Sequence, residues 1–200
     1  MFSAFFNRQP RAKRDPDCVW MTREAKLRAV VAASGARVVV HFSETRRALQ
    51  ALARQRGSPL EVALATGLPN LPSRDPELRV LVAERHPLRE HDERIAAWAD
   101  ATAGRIVFHL ALDEAPLSLF AGDGLRSVLD KLGASADEPL VNAMVSRSIE
   151  RAQQRVKKKA TGDLPADSAA GWMRANGFGE LAEVAQLDPA ERVFSGSVDV

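Results

Sequence analysis

The sequence predicts an α/β protein in which a parallel β-sheet is covered by helices. Short runs of β-branched and apolar residues alternate along the chain with amphipathic segments of about 10–15 residues. This alternation is typical of parallel strands joined by crossover helices. Hydrophobic residues make up 46% of the 200 residues, which is enough to build a packed core.

Four segments have the composition of buried strands. Residues 37–42 read Arg-Val-Val-Val-His-Phe, and such β-branched, apolar runs are characteristic of strands covered on both faces. The other three predicted strands are 60–65, 78–83 and 105–112. A loop rich in proline, 67–76, separates the second strand from the third.

Helices are predicted between and around these strands. Ser43 can cap a helix over 44–56, which Gly57 ends. Thr22 can cap an earlier helix that runs to Ala33. The remaining predicted helices are 88–103, two short helices within 115–133, 139–159, a short helix at 168–176 capped by Asp167, and a further one at 180–187.

Charge is distributed unevenly along the chain. The formal net charge is only +2, which argues against a dedicated nucleic-acid-binding protein. Residues 147–159 carry six bases and one acid, whereas residues 161–200 carry seven acids and two bases. We therefore predict four parts: a basic flexible N-terminus (1–16), the α/β domain (17–135), a basic helix (136–160) and an acidic tail with short helices (161–200).

The sequence also bears on compartment and membrane contact. Cys18 is the only cysteine, so an intrachain disulfide cannot form, which fits a reducing cytoplasm. The chain has no apolar run near 18 residues, so no transmembrane helix is expected. Residues 1–14 combine three phenylalanines with four bases. They are expected to be a frayed terminus, and the alternative is a weak peripheral contact with the inner membrane.

Several catalytic signatures are absent. A phosphate-binding loop needs G-x-x-x-x-G-K-[ST], and none of the six lysines follows a glycine. The G-x-G-x-x-G, G-x-S-x-G and His-Glu-x-x-His patterns are absent as well. We therefore expect no catalytic residues and no bound cofactor.

The chain has four histidines that are candidate metal ligands: His41, His86, His91 and His109. The first and last lie in predicted strands and are expected to be core histidines. The middle two are five residues apart, which is poor geometry for one helical face. Together with Glu84 or Asp92 they could gather a metal ion, but we expect no metal site.

Arg147, Arg151 and Arg155 recur at a spacing of four residues and therefore share one face of the basic helix. They could contact phosphates or acidic lipid, and the alternative is a solvated face. Few aromatic residues lie nearby, so a nucleic-acid partner is not expected.

Several segments match the motifs of a known family in order and spacing. Residues 17–30 are similar to D-x-[IV]-[YF]-x-T-x-x-x-K-x-x-A-[IV], and 81–86 to V-I-G-T-E-R-H. Residues 108–117 are similar to F-F-L-S-L-E-D-D-L. The most specific match is 144–156, which follows M-V-[ST]-[KR]-[AS]-I-E-x-A-Q-x-[KR]-V. Together, 17–159 resemble the second, RecA-like motor domain of SecA preprotein translocases and the start of its helical region.

The resemblance implies a RecA-like, P-loop-NTPase-type sheet with a helical C-terminal extension. In SecA, the stretch after E-R-H carries arginines that face ATP, and the matching positions here are Ala96, Trp98 and Ala101. An alanine cannot supply an arginine's stabilisation of phosphoryl transfer, worth about 10³–10⁵ in rate. The resemblance therefore implies a pseudo-ATPase. The weak candidates left for phosphate contact are Arg85, Arg89 and Arg94.

We expect a non-catalytic SecA-like homologue that acts as a protein-interaction module, with SecA or another translocation component as partner. The expected interaction residues are Arg147, Arg151, Arg155, Trp172, Met173 and Phe178. The last three would belong to a docking tail, or to a tail that folds back on the basic helix by charge. The alternatives are a nucleotide-sensing domain that binds without turnover or completes a partner's ATPase site, and a peripheral membrane adaptor.

Overall fold

The computed structural model describes residues 13–33, 35–69, 75, 77–101, 104–120, 135 and 137–179. These residues form a seven-stranded, mostly parallel sheet flanked by helices. The predicted α/β class is therefore confirmed, and the architecture is consistent with a RecA-like domain.

The strands of the sheet lie in the order β4-β3-β5-β6-β2-β7, and β1 pairs with β6. All pairs are parallel except β2 with β7. The strands are β1 Lys13–Arg14, β2 Cys18–Trp20, β3 Arg37–Val40, β4 Val62–Leu64, β5 Arg79–Val82, β6 Arg105–Ala111 and β7 Leu140–Val141.

The helices cover the two faces of the sheet and the end at which β3 and β5 finish. They are α1 Arg23–Ala32, α2 Ser43–Gln55, α3 Arg89–Asp100, α4 Leu117–Phe120, α5 Ala143–Lys159 and α6 Ala169–Ala175. Thr22 caps α1 as predicted, since its side chain accepts a hydrogen bond from the Ala25 amide at 3.2 Å. The second half of the 115–133 prediction and the helix at 180–187 lie outside the described residues.

The four strands predicted from composition are all present, and three short strands were not predicted. β1 places Lys13 and Arg14 beside β6, although we expected them in the flexible N-terminus. β7 takes up residues that we assigned to the basic helix, so α5 begins at Ala143 instead of 139. Strands of two or three residues have no periodic pattern by which they could be found.

The core has one apolar cluster on each face of the sheet. Alternate residues of a strand point to opposite faces, so Val39 packs with Ile95 and Ile149, whereas Val38 packs with Val30 and Leu49. A third cluster lies beyond the carboxyl ends of β3 and β5. This cluster positions the candidate site.

Among the described residues, no helix has the length and apolar character needed to span a bilayer.

Candidate functional site

The carboxyl ends of the neighbouring parallel strands β3 and β5 meet at one edge of the sheet. His41 and Phe42 follow β3, and Glu84, Arg85 and His86 follow β5. In open α/β sheets this edge is where ligands bind, because loops there can surround a crevice. The side chains at this edge, which we call the carboxyl edge, are therefore the first place to look for function.

Asp92, in the first turn of α3, is the centre of the buried polar network at this edge. Its side chain is 3% exposed. One oxygen accepts hydrogen bonds from His41 Nε2 at 2.8 Å and from the His86 amide at 3.0 Å. The other accepts from Gln153 Nε2 at 2.6 Å and from Arg85 Nη1 at 3.2 Å. Asp92 thereby joins β3, β5, α3 and α5.

Arg85 is held between two buried carboxylates. Its Nη2 donates to Asp17 at 2.6 Å, and its guanidinium carbon lies 4.1 Å from the centroid of the Phe108 ring. Burial lowers the pKa of Arg85, but the charges of Asp92 and Asp17 outweigh that effect and raise it. Burial raises the pKa of Asp92, and the hydrogen bond from His41 with the charge of Arg85 brings it below its usual value. Arg85 is thus fixed as a buried cation.

Glu84 accepts hydrogen bonds through both of its carboxylate oxygens. One of its oxygens accepts the amides of His41 and Phe42, both at 2.8 Å, and the other accepts the Thr45 hydroxyl at 2.6 Å. These donors lie where β3 ends and α2 begins, so the carboxylate satisfies backbone groups that the sheet leaves unpaired. Glu84 therefore has a structural role at the strand end.

The weak candidates for phosphate contact are not gathered around one space. Arg89 pairs with Glu93 at 2.8 Å and with Glu150 at 3.3 Å. Arg94 donates to His91 Nδ1. Arg85 is paired with two carboxylates. Each of the three candidates therefore already has a partner within the chain.

Two positions that carry ATP-facing arginines in the resembled motif now contribute to packing. Ala96 is fully buried in the core cluster beneath α3. Trp98 packs against the same cluster and donates its indole N–H to the Pro69 carbonyl at 2.9 Å. Ala101 is exposed at the end of α3.

A segment from the C-terminal part of the chain, 160–179, lies over the carboxyl edge. Trp172, Met173 and Phe178 are 1%, 0% and 3% exposed and pack with Phe42, Leu88 and Val156. The sequence predicts that these three belong to a docking tail, or to a tail that folds back on the basic helix by charge. The structure corrects this for 168–179, because the segment returns through apolar packing and its large side chains are core residues.

Asp167 attaches this segment to the start of α2. Its carboxylate accepts the Ser43 hydroxyl at 2.5 Å, and its carbonyl accepts the Glu44 amide at 2.9 Å. Ser43 is therefore not the side-chain cap that we expected for α2. Asp167 is likewise not the cap of α6, because Ser168 accepts the Gly171 amide at 3.1 Å.

Asn176 closes the segment on itself. Its side-chain oxygen accepts the Leu164 amide at 2.7 Å, and its Nδ2 donates to the Leu164 carbonyl at 3.1 Å. The Thr161 amide donates to the Asn176 carbonyl at 3.1 Å. The linker that we predict from its polar composition, 161–166, is thus tied to α6 by these three hydrogen bonds and by a fourth, from Trp172 Nε1 to Asp163 Oδ1 at 2.9 Å.

A histidine pair lies between the carboxyl edge and this segment. The rings of His86 and His91 stack with their centroids 3.7 Å apart, and His91 Nε2 lies 2.8 Å from Asp163 Oδ2. The three residues border a cavity of about 190 Å³ that also contacts Trp172. Sequence reasoning paired the histidines with Glu84 or Asp92. It missed Asp163, which is 72 residues from His91 and is brought in by tertiary packing.

Ligand atoms of His86, His91 and Asp163 lie within 4.8 Å of one another, which is close enough for one metal ion. The positions of the protons on the two imidazole rings disfavour metal binding. The Leu88 amide donates to His86 Nδ1 at 3.0 Å, and Arg94 donates to His91 Nδ1, so both rings carry their proton on Nε2. In metal sites the second ring nitrogen normally donates to an acceptor, whereas here it faces donors.

The ring of His86 is held neutral by its surroundings. Burial, with the proximity of His41 and His91, lowers the pKa of His86 to about 3. Its ring also stacks on Phe42 and meets the edge of Trp172, with centroids 5.4 and 5.3 Å apart. His86 therefore serves as a packing residue of the third cluster.

The predicted basic face of α5 is present and open. Arg147, Arg151 and Arg155 are exposed, on the side of the helix opposite the buried Ile149 and Val156. Within the part of the chain that the structure describes, none of the three arginines has a salt bridge.

The chain is similar in sequence to known proteins, although no protein-family model matches it. It is 37% identical to the protein translocase subunit SecA of Solidesulfovibrio magneticus over 103 residues, 50% of this chain and 12% of that protein. It is 38% identical to SecA of Herminiimonas arsenicoxydans over 84 residues, 41% of this chain and 9% of that protein. With SecA of Nitratidesulfovibrio vulgaris, the identity is 29% over 191 residues, 74% of this chain and 23% of that protein. The chain is therefore SecA-like in sequence, and it spans less than a quarter of the length of these curated relatives.

Proposed function

We propose that this chain is a non-catalytic homologue of the SecA motor domain that serves preprotein translocation as a protein-interaction module. The similarity to SecA subunits supports the link to translocation. With this function we associate a cytoplasmic location, with peripheral contact at the inner membrane. The proposal has two parts, the loss of nucleotide chemistry and the gain of a binding surface.

The first part, the loss of nucleotide chemistry, is supported by the carboxyl edge, which residues 160–179 cover. A ligand at this edge would need the space that 160–179 fills with Trp172 and Met173. It would also need free cations, and Arg85 is neutralised by Asp17 and Asp92. These observations support a pseudo-ATPase. They also count against nucleotide sensing, which would require Arg85, Arg89 and Arg94 to reach phosphate.

The second part is supported by the face of α5 that points away from the core, which we call the basic stripe. Its members are exposed and share one helical face: Arg147, Arg151, Arg155 and Lys158. Four cations on a regular element fit an acidic protein surface, where charge complementarity speeds and orients association. We propose SecA or another translocation component as the partner. The membrane-adaptor alternative depends on residues 1–14, of which 1–12 lie outside the described residues.

The binding proposal can be tested with purified full-length SecA from the same organism and the full chain, by biolayer interferometry at low and moderate salt. Replacing Arg147, Arg151 and Arg155 by Gln should weaken binding about tenfold, because exposed charge pairs contribute up to about 1 kcal/mol each. Binding should also weaken as salt increases.

The matched control removes three exposed arginines from another part of the surface. Arg47, Arg54 and Arg56 are exposed on or just after α2, and their replacement by Gln changes the net charge equally. Equal weakening in both triple variants would reduce the effect to net charge and refute the basic stripe as the binding surface.

A further inference from the structure

We propose that the cavity of about 190 Å³ beneath the segment 160–179 binds a small organic acid, whose carboxylate is held by His86 and Arg94 and whose apolar part lies against Trp172. This inference goes beyond the proposed function, because it concerns a small-molecule ligand at a different surface. The volume lies below the range of about 300–1,000 Å³ that drug-sized ligands occupy, so the cavity suits a ligand of about one ring rather than a nucleotide.

His86 supplies a hydrogen-bond donor that the fold leaves unused. The residue is 5% exposed and borders the cavity. Its Nδ1 accepts the Leu88 amide at 3.0 Å, and burial with the neighbouring rings of His41 and His91 lowers its pKa to about 3, so the neutral ring carries its proton on Nε2. Among the described residues, this N–H group has no acceptor. Buried donors are nearly always hydrogen-bonded, so this one points to an acceptor that a ligand supplies.

Arg94 supplies a positive charge at the mouth of the same cavity. It is exposed, on the second turn of α3, and within the described ranges it forms no salt bridge. One N–H group donates to His91 Nδ1, and the guanidinium has further donors to offer. The His91 ring in turn stacks on His86, with centroids 3.7 Å apart. The two donors are therefore neighbours, and a carboxylate that bridges them gains a charge-assisted hydrogen bond.

The carboxylate that borders this cavity already has its hydrogen-bond partners. Asp163 Oδ1 accepts Trp172 Nε1 at 2.9 Å, and Asp163 Oδ2 lies 2.8 Å from His91 Nε2. Its side chain is 47% exposed, so water screens its charge. The charged group of the wall that retains unused hydrogen-bonding capacity is thus the guanidinium of Arg94. This balance favours an anionic ligand over a cation.

Much of the remaining wall is apolar and aromatic. The rings of Phe42 and Trp172 lie next to His86, with centroids 5.4 and 5.3 Å from its own. Ala65, from the end of β4, and Ala166, from the covering segment, border the same space. Apolar walls with a few placed polar groups are typical of sites for small organic ligands, and aromatic walls favour a flat ring. An aromatic carboxylate combines both features.

Titration of the full chain with sodium benzoate at constant ionic strength, followed by proton–nitrogen NMR, tests the site. The chain has three tryptophans, whose indole N–H signals report on three places. We expect the Trp172 signal to shift saturably with a Kd of about 1 mM, which is usual for so small a ligand. Trp20 and Trp98 do not border the cavity, so their signals are internal controls. A Trp172 signal that does not shift, or three signals that shift alike, would overturn the proposal.

Two arginine variants on α3 test the charge. Arg94→Gln removes the cation, while its amide can still donate to His91, and it should weaken benzoate binding about fivefold. Arg89→Gln is the matched control, because Arg89 pairs with Glu93 and Glu150 and does not border the cavity. This variant should leave the Kd unchanged. Equal Kd values in the two variants would contradict the assignment of Arg94.

Benzamide separates the charge of the ligand from its shape. It keeps the ring and one acceptor oxygen but has no charge, so it should bind the unmodified chain about fivefold more weakly than benzoate does. The two compounds should bind Arg94→Gln with similar Kd values. Equal affinities for the unmodified chain would show that the cavity does not select an anion.

Hydrogen exchange tests whether the ligand lies beneath the covering segment. A ligand that contacts both His86 and Trp172 binds only when the segment is in place. At about ten times the Kd of benzoate, amide exchange over α6 should therefore slow about tenfold. Exchange over α1, which packs in the other core cluster, should not change. Unchanged exchange over α6 at saturating benzoate would refute a site beneath the segment.

Discussion

Arg85 and the arginines of the basic stripe have opposite surroundings in the same fold. Arg85 is 9% exposed and lies between Asp17 and Asp92, whereas Arg147, Arg151 and Arg155 face solvent. A buried guanidinium is stable only with carboxylates that compensate its lost hydration, and that pairing removes it from other chemistry. An exposed one has no such requirement and stays available. The comparison teaches that position in the fold, more than residue type, separates structural arginines from binding arginines here.

The largest expected difference between the two kinds of arginine is in stability, and removing the buried cation tests it. Arg85→Ala removes the cation that lies between the buried carboxylates of Asp17 and Asp92, so we expect a loss of about 3–5 kcal/mol in the free energy of unfolding. Arg151→Ala, on the stripe, should stay within about 0.5 kcal/mol of the unmodified chain. Urea denaturation measures both. If the two substitutions cost the same, Arg85 is not the structural arginine described above.

The cover over the carboxyl edge can be tested next. Trp172→Ala removes the largest side chain of the third cluster and should cost about 3–5 kcal/mol. Leu164→Ala is the control in the same segment, because Leu164 is 59% exposed and should cost little. Hydrogen exchange should show lost amide protection over α6 before the loss reaches β3. Unchanged protection in the Trp172 variant would mean that the segment does not depend on this cluster.

Acid should lower the free energy of unfolding through the buried histidines, and it should not change the charge of the basic stripe. Burial lowers the pKa of His86 to about 3 and of His109 to about 4, and both values lie below the unfolded value near 6.5. Between these values the unfolded chain binds more protons, so stability falls as pH decreases below about 6.5. From pH 7 to pH 5 each histidine should contribute a loss of up to about 2 kcal/mol.

His86→Asn sharpens this prediction. An asparagine oxygen can accept the Leu88 amide in place of Nδ1, but it does not titrate. Denaturation at pH 5 and pH 7 should therefore show a smaller pH dependence for this variant than for the unmodified chain. An identical dependence would show that His86 is not shielded from protons in the folded state.

The sequence allowed much of the fold to be predicted, and less of the site. The strands at 37–42 and 105–112 were found because long β-branched and apolar runs have few other structures open to them. The contact of His91 with Asp163 had no sequence signal, since it depends on how 160–179 returns across the sheet. For Trp172, Met173 and Phe178 a signal existed: three large apolar residues within seven, in a polar tail, also fit a segment that packs on its own domain.

The measurement that tests the central claim most directly is isothermal titration of the folded full chain with Mg-ATP and with ADP. If the carboxyl edge is closed by 160–179 and Arg85 is bound by Asp17 and Asp92, neither nucleotide should produce saturable heat. Phosphate release should stay at the level of buffer. Micromolar binding of ATP accompanied by hydrolysis would contradict the assignment of this chain as a non-catalytic interaction module.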